Sequence, residues 1–217
     1  MGRKLTYSRR VFEAADEASA RRIILTPEFG QNTDERWERE TPYLVDLIGE
    51  QLQPRKGGLL IDYGCGIGRL SKALIERFGV RVLGVDLSER MRVLAPDYVG
   101  SQLFSVVSPY MLHSLAQKGL RADGALSVWV LQHCAVPSED IALLHRSIAP
   151  GGEVFVVNAK RRVVPTAEGV WGDDGLDVRA LLSEAFAPVA EGSLAPPAVP
   201  DGLETTTFWG AYARRLG

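Results

Sequence analysis

Cysteine is almost missing: the 217 residues hold two, Cys65 and Cys134. Two cysteines frame no disulfide scaffold, and with only three histidines beside them no metal cluster is expected. A reducing, cytoplasmic setting is the matching expectation. Long apolar runs are missing as well. No stretch approaches the roughly 20 residues that span a bilayer, so no membrane partner is expected. The opening Met1-Gly2-Arg3-Lys4-Leu5-Thr6 carries charge with no apolar core behind it, which argues against a secretory leader. Positive charge is not in excess either. Lys and Arg number 25 against 27 Asp and Glu, a net charge of −2. That balance lacks the bulk electrostatic footprint of a nucleic-acid binder. Internal repeats and low-complexity tracts are absent.

What is there is an ordinary globular composition, 46% hydrophobic and 24% charged. The length suits one full domain with a small added lobe. Residues 1–58 read as a helical N-terminal cap. Val11, Ala14, Ala15 and Ala18 make a weak helical face, Pro27, Gly30 and Asn32 mark a break, and Thr41-Pro42 looks like an N-cap with proline at the first helical position. Residues 59–217 then alternate strand and helix, the pattern of a parallel sheet covered on both faces. Strands are expected at 59–63, 81–86, 102–107, 123–130, 153–158, 186–192 and 205–214. Lys160 to Gly175 reads as a loop, and Pro196, Pro197 and Pro200 mark a link before the last strand.

The most informative stretch is Leu59 to Arg69, Leu-Leu-Ile-Asp-Tyr-Gly-Cys-Gly-Ile-Gly-Arg. An apolar strand meets Asp62, three alternate glycines follow, and a helical pattern starts at Leu70. Glycine permits unusual backbone angles and close ligand approach, and a helix start offers free N–H groups. The pattern is Gly-x-Gly-x-Gly, because Arg69 stands where a dinucleotide fingerprint has its third glycine. Asp86 ends the second strand, 18 residues after Gly68, placed to accept both hydroxyls of a ribose at the carboxyl ends of the strands.

Asp62-x-Gly64-x-Gly66-x-Gly68, Gly84-Val85-Asp86-Leu87-Ser88, Asp123 opening strand four, and Leu143 through Ile148-Ala149-Pro150-Gly151-Gly152 together resemble the class I S-adenosylmethionine-dependent methyltransferase family. The resemblance implies a Rossmann-like seven-stranded, mostly parallel sheet in the order 3-2-1-4-5-7-6, with its last strand antiparallel. It implies S-adenosyl-L-methionine as cofactor, S-adenosyl-L-homocysteine as product, and in-line displacement onto a small-molecule acceptor. The implied cofactor residues are Asp62, Gly64, Cys65, Gly66, Gly68, Arg69, Asp86, Leu87, Ser108, Trp129 and Val130. Ser108 falls where the adenine lies, although no acid or amide stands in Ser105 to Tyr110.

His133, following strand four, is the candidate base. Trp37 and Tyr43, with Arg36, read as a lid, and Asn158, Arg161, Arg162 and Trp171 flank the loop where an acceptor would enter. The basic residues there suit an anionic acceptor. A nucleic-acid acceptor is not expected, because Gln132-His133-Cys134-Ala135 stands where the base-modifying branch carries Asn/Asp-Pro-Pro-Tyr/Phe. Two other readings stay open. An NAD(P)-dependent oxidoreductase needs the missing glycine spacing and a hydride-transfer set such as Tyr-x-x-x-Lys. A catalytically silent cofactor-binding subunit needs neither. The acceptor atom and the oligomeric state stay open.

Overall fold

Short runs rich in Val, Ile and Leu form the strands because both faces of each are covered by helices. The computed structural model describes residues 6–28, 30–196 and 198–215. Pro197 of the expected link lies outside them. The strands are β1 (Leu59–Tyr63), β2 (Arg81–Val85), β3 (Phe104–Val107), β4 (Ala122–Val128), β5 (Ile148–Ala159), β6 (Val164–Pro165), β7 (Trp171–Gly172), β8 (Ala187–Gly192) and β9 (Thr207–Ala213). Seven form one sheet in the order β3-β2-β1-β4-β5-β9-β8, while β6 and β7 make a separate hairpin. With that hairpin left out of the count, the order is the expected 3-2-1-4-5-7-6. Neighbours among β1 to β5 run parallel, and β9 runs antiparallel to both β5 and β8.

The helices are α1 (Glu17–Ile24), α2 (Thr33–Leu52), α3 (Arg69–Phe78), α4 (Glu89–Val99), α5 (Pro109–Gln117), α6 (Pro137–Ser147), α7 (Val178–Ala185) and α8 (Leu203–Thr206). Alternate strand residues feed two cores. Ile61, Tyr63, Val85 and Val156 pack with Leu112, Leu144 and Leu182 on one face. Leu60, Val82, Leu126 and Phe155 pack with Leu44, Ile48 and Leu74 on the other. A third cluster, Ala14, Ala20, Leu25, Trp37, Ile67 and Met91, seats the N-terminal segment on the start of α3 and α4.

Several boundaries differ from expectation. Thr41-Pro42 starts no helix. Asn32 caps α2 in a capping box with Glu35, and Pro42 lies inside the helix. The Thr41 hydroxyl beside it donates to the Trp37 carbonyl at 2.5 Å. The weak helical face before residue 25 splits into a single 3-10 turn (Arg9–Phe12) and α1, because Asp16 and Ser19 form a capping box that opens a new helix. Helix α4 runs to Val99 with Pro96 inside. The loop from Lys160 to Gly175 carries the β6–β7 hairpin, and residues 6–8 run beside it: Ser8 N–H donates to Pro165 O and Ala167 N–H to Thr6 O.

Candidate active site

The Gly64–Gly68 turn is tight because the side chains around it leave no room. Gly64, Gly66 and Gly68 have φ of 80°, 55° and 89°, in the left-handed region where a Cβ is penalised. A Cβ on Gly64 would stand 2.1 Å from Val130 Cγ2, one on Gly66 2.5 Å from Ile24 Cδ1, and one on Gly68 2.4 Å from Val99 Cγ2. The N–H groups of Gly64 and Cys65 both donate to Val85 O, fastening the turn to the end of β2. Asp62 is buried behind it and accepts from Ser71 Oγ at 2.6 Å, at the start of α3. Burial raises its carboxyl to about 6, against the pull of Ser71 and Arg69. Cys65 is buried against Gly84 and its thiol is pushed well up by burial, so it is an inert filler.

Asp86 continues from β2 into the same wall. Its Oδ2 accepts from Gly66 N–H and its Oδ1 from Ser88 N–H, each at 2.8 Å. Burial raises its carboxyl, and those two amides pull it back. Each carboxylate oxygen keeps a further lone pair for a hydroxyl donor. The turn and Asp86 border a cavity of about 1320 Å³, which Gly64, Gly66, Asp86, Leu87, Trp129 and Val130 line on one side. The glycine-lined turn beside a carboxylate with spare acceptor capacity fits a nucleoside-bearing cofactor.

The same cavity also has an aromatic stretch of lining. His133 lies 5.3 Å from Trp171 and 5.7 Å from Phe12, with Phe12 and Trp171 6.4 Å apart. Phe12 comes from the 3-10 turn, His133 from the turn after β4, and Trp171 from β7. Gln132 Oε1 accepts from Ala159 N–H at 2.5 Å, which turns its amide nitrogen toward His133 Nε2 at 3.0 Å. His133 Nδ1 then donates to Val163 O at 2.6 Å. Burial lowers His133 to about 4, so the ring is neutral across the physiological range. Both ring nitrogens of this residue, the expected base, have protein partners here, and the ring lines the cavity.

Other expected residues fall elsewhere. Asn158 is fully buried and its Oδ1 accepts from Gln132 N–H, fixing the turn after β4 rather than meeting an acceptor. Arg162 is buried too, donating to Leu131 O, Cys134 O and Asp174. Tyr43 accepts from Ala195 N–H and packs in the core. Trp37 is buried with the Arg21 guanidinium 4.6 Å and the Arg69 guanidinium 5.6 Å from its ring. Neither forms a lid. Ser108 caps α5 by accepting from Met111 N–H, and Pro109 lines the cavity in its place. Arg161 and Trp171 do line it.

Arg69 belongs to a buried ionic network instead of the cavity wall. Glu40 is completely buried and receives Arg36 at 3.0 Å, Arg69 at 3.4 Å and the Trp129 indole N–H at 2.8 Å. Burial lowers the Arg69 guanidinium's proton affinity and Glu40 opposes that shift. The structure also adds cavity residues that the sequence did not single out: Tyr7, Phe12, Ile24, Tyr63 and Asp140. Tyr63 reads as a strand residue and Asp140 as a first-turn helix charge, so neither carried a motif. Among the described residues no three His, Cys, Asp or Glu side chains converge as metal ligands, and no helix is long and apolar enough to cross a membrane.

The sheet order, the glycine turn and Asp86 together define a class I S-adenosylmethionine-dependent methyltransferase, and comparison with known proteins agrees. Residues 31–189 match the family model described as Methyltransferase domain, and the chain belongs to that family. A ubiquinone biosynthesis O-methyltransferase of Sinorhizobium fredii is 30% identical over 142 residues, 62% of this chain and 57% of that protein. A tRNA U34 carboxymethyltransferase of Cellvibrio japonicus is 28% identical over 63% of this chain and 42% of that protein. The chain thus aligns with about half the length of these curated relatives. Among solved structures, a geranyl diphosphate methyltransferase in complex with SAM superposes with a TM-score of 0.63 at 15% identity, covering 98% of both chains. A SAM-dependent methyltransferase from Aquifex aeolicus gives 0.61 at 16% identity, covering 92% of this chain and 98% of that one. The chain therefore carries a methyltransferase domain and shares its fold with a neighbour solved in complex with SAM. Nothing in these likenesses supports the NAD(P) alternative.

Proposed function

We propose that the chain methylates a hydroxyl of a small aromatic acceptor held against Phe12, His133 and Trp171. The observation that carries this reading is the aromatic wall in the same cavity as the glycine turn. A flat ring packs well in such a box, since aromatic pairs favour centroid separations of about 4.5–7 Å. The Arg9, Lys160 and Arg161 side chains on the cavity lining suit an anionic substituent on that ring. The relatives named for ubiquinone biosynthesis O-methylation support an oxygen acceptor. A net charge of −2 favours a small molecule over tRNA.

S-adenosylmethionine, when bound, supplies a methyl group on a cationic sulfonium. Gly64, Gly66 and Gly68 would shape the turn beneath its methionine part, Asp86 would accept the ribose hydroxyls, and Leu87 would lie by the adenine. The Trp129 indole offers an aromatic face to the positive sulfur. The aromatic wall holds the acceptor ring in place. Holding two reactants in line supplies on the order of 7–11 kcal/mol of the barrier reduction.

The test is incubation with methyl-labelled S-adenosylmethionine and four acceptors: catechol, 4-hydroxybenzoate, an aliphatic amine and a tRNA transcript. Label on a phenolic oxygen is expected. Label on the tRNA or the amine alone would overturn the reading.

A further inference from the structure

One carboxylate on the cavity wall is left without a role by the cofactor site. Asp140 stands in the first turn of α6 and lines the cavity. Its Oδ1 accepts from the Tyr63 hydroxyl, and the Cys134 thiol lies in hydrogen-bonding reach. Tyr63 is the last residue of β1, directly before Gly64, so this carboxylate is anchored to the strand that carries the glycine turn. Three further groups bear on it: Glu139 on the same helical turn, Arg162, and Tyr7 from the N-terminal segment. Arg162 is already committed to Asp174 at 3.1 Å, so it does not neutralise Asp140 as an ion pair. Tyr7 is raised to about 12 by burial and stays a neutral donor. Burial strengthens Asp140 as a proton acceptor, against the hydrogen bonds from Tyr63 and Cys134. His133 has no free nitrogen for that task.

We propose that Asp140 is the catalytic base, with Tyr63 as the positioning residue that fixes its carboxylate. The O–H bond of the acceptor breaks, its electron pair stays on the oxygen, and the proton forms a new O–H bond on Asp140. That oxygen pair then bonds the methyl carbon as the carbon–sulfur pair returns to sulfur. The proton leaves neutral Asp140 to water as product departs. This inference rests on the reading of the acceptor as an aromatic hydroxyl.

The probe is 4-nitrocatechol, whose ionisation is visible in its absorbance. It is titrated into the full chain saturated with S-adenosylhomocysteine, at a pH where the free probe is neutral. The expected result is the spectrum of the anion on binding. Asp140→Asn should bind the probe, seen by quenching of the tryptophan fluorescence, yet leave it neutral, with S-adenosylhomocysteine affinity unchanged. Turnover of catechol should fall about 100-fold or more, the usual weight of a general base, and Asp140→Glu should recover part of it. Tyr63→Phe removes a hydrogen bond that favours the ionised carboxyl. The bound probe should then ionise at lower pH, which keeps the test decisive if Asp140→Asn does not fold. A bound probe that stays neutral in the wild type, equal ionisation in Asp140→Asn, or an unmoved midpoint in Tyr63→Phe overturns Asp140 as base and leaves the acceptor reading standing. A probe that does not bind overturns both.

Discussion

The indole Nε1 of Trp129 donates to Glu40 Oε1 at 2.8 Å, tying the residue just past β4 to the middle of α2. Trp129 has φ of 63°, a left-handed conformation that a tryptophan rarely adopts, and this bond is among the contacts that hold it there. Glu40 also accepts from two buried arginines. Glu40→Gln leaves both guanidinium groups undercompensated, so urea unfolding should show a loss of about 3–5 kcal/mol. Trp129→Phe keeps an aromatic side chain but removes the indole N–H and its hydrogen bond to a carboxylate, for a loss of about 1–3 kcal/mol. A neutral Glu40→Gln would mean that the network does not fasten the N-terminal segment.

Gly64 and Gly169 separate backbone strain from lack of space. Their φ angles are 80° and 75°, but a Cβ on Gly169 meets nothing within 4 Å. Gly169→Ala should cost about 1–2 kcal/mol, the penalty for the left-handed region, and leave S-adenosylhomocysteine binding intact. Gly64→Ala adds the collision with Val130, about 1–3 kcal/mol more, and should weaken that binding at least about tenfold. Equal effects of the two substitutions on binding would show that the turn beside Val130 does not shape the cofactor site.

Two buried groups give the stability opposite slopes at acid pH. His133, lowered to about 4, stays neutral in the fold while the unfolded chain protonates it near 6.5. Its contribution is full above about 6.5 and is lost as pH falls toward 4, by at most about 3 kcal/mol. Asp62, raised from 3.8 to about 6, acts in reverse: its contribution is present below 3.8 and is lost as pH rises through 6. The difference in unfolding free energy between wild type and His133→Gln isolates the first. It should narrow from pH 7 to pH 4.5, and a pH-independent difference would show that His133 is not held neutral.

Trp171 is 52% exposed, so Trp171→Ala should shift stability by no more than about 0.5 kcal/mol. Removing one side of the aromatic wall should instead raise KM for catechol about tenfold, roughly 1.4 kcal/mol, with S-adenosylhomocysteine affinity unchanged. An unmoved KM would place the acceptor elsewhere in the cavity.

The sheet was legible because each strand is a short apolar run and each turn carries its own punctuation. The Asp62 to Gly68 spacing and Asp86 announced the cofactor wall, since a turn without Cβ atoms leaves a mark in sequence. The acceptor wall left none. Phe12, His133 and Trp171 stand 121 and 38 residues apart and meet only because residues 6–8 run beside the β6–β7 hairpin. Asn158 at the end of β5 and Arg162 just after it stand where an acceptor residue was expected, but both turn inward to satisfy the backbone of the turn after β4. Thr41-Pro42 misled because a proline inside a helix mimics one at its start. The Asn32–Glu35 capping box nine residues earlier was the stronger signal.

Whether Asp86 and the glycine turn hold the adenosyl cofactor is decided by calorimetric titration of S-adenosylhomocysteine into wild type and Asp86→Ala. Losing hydrogen bonds from the ribose to a carboxylate should raise Kd about 100-fold, near 3 kcal/mol, with the far-UV circular dichroism unchanged. Equal Kd values in two folded proteins would show that Asp86 does not hold the ribose.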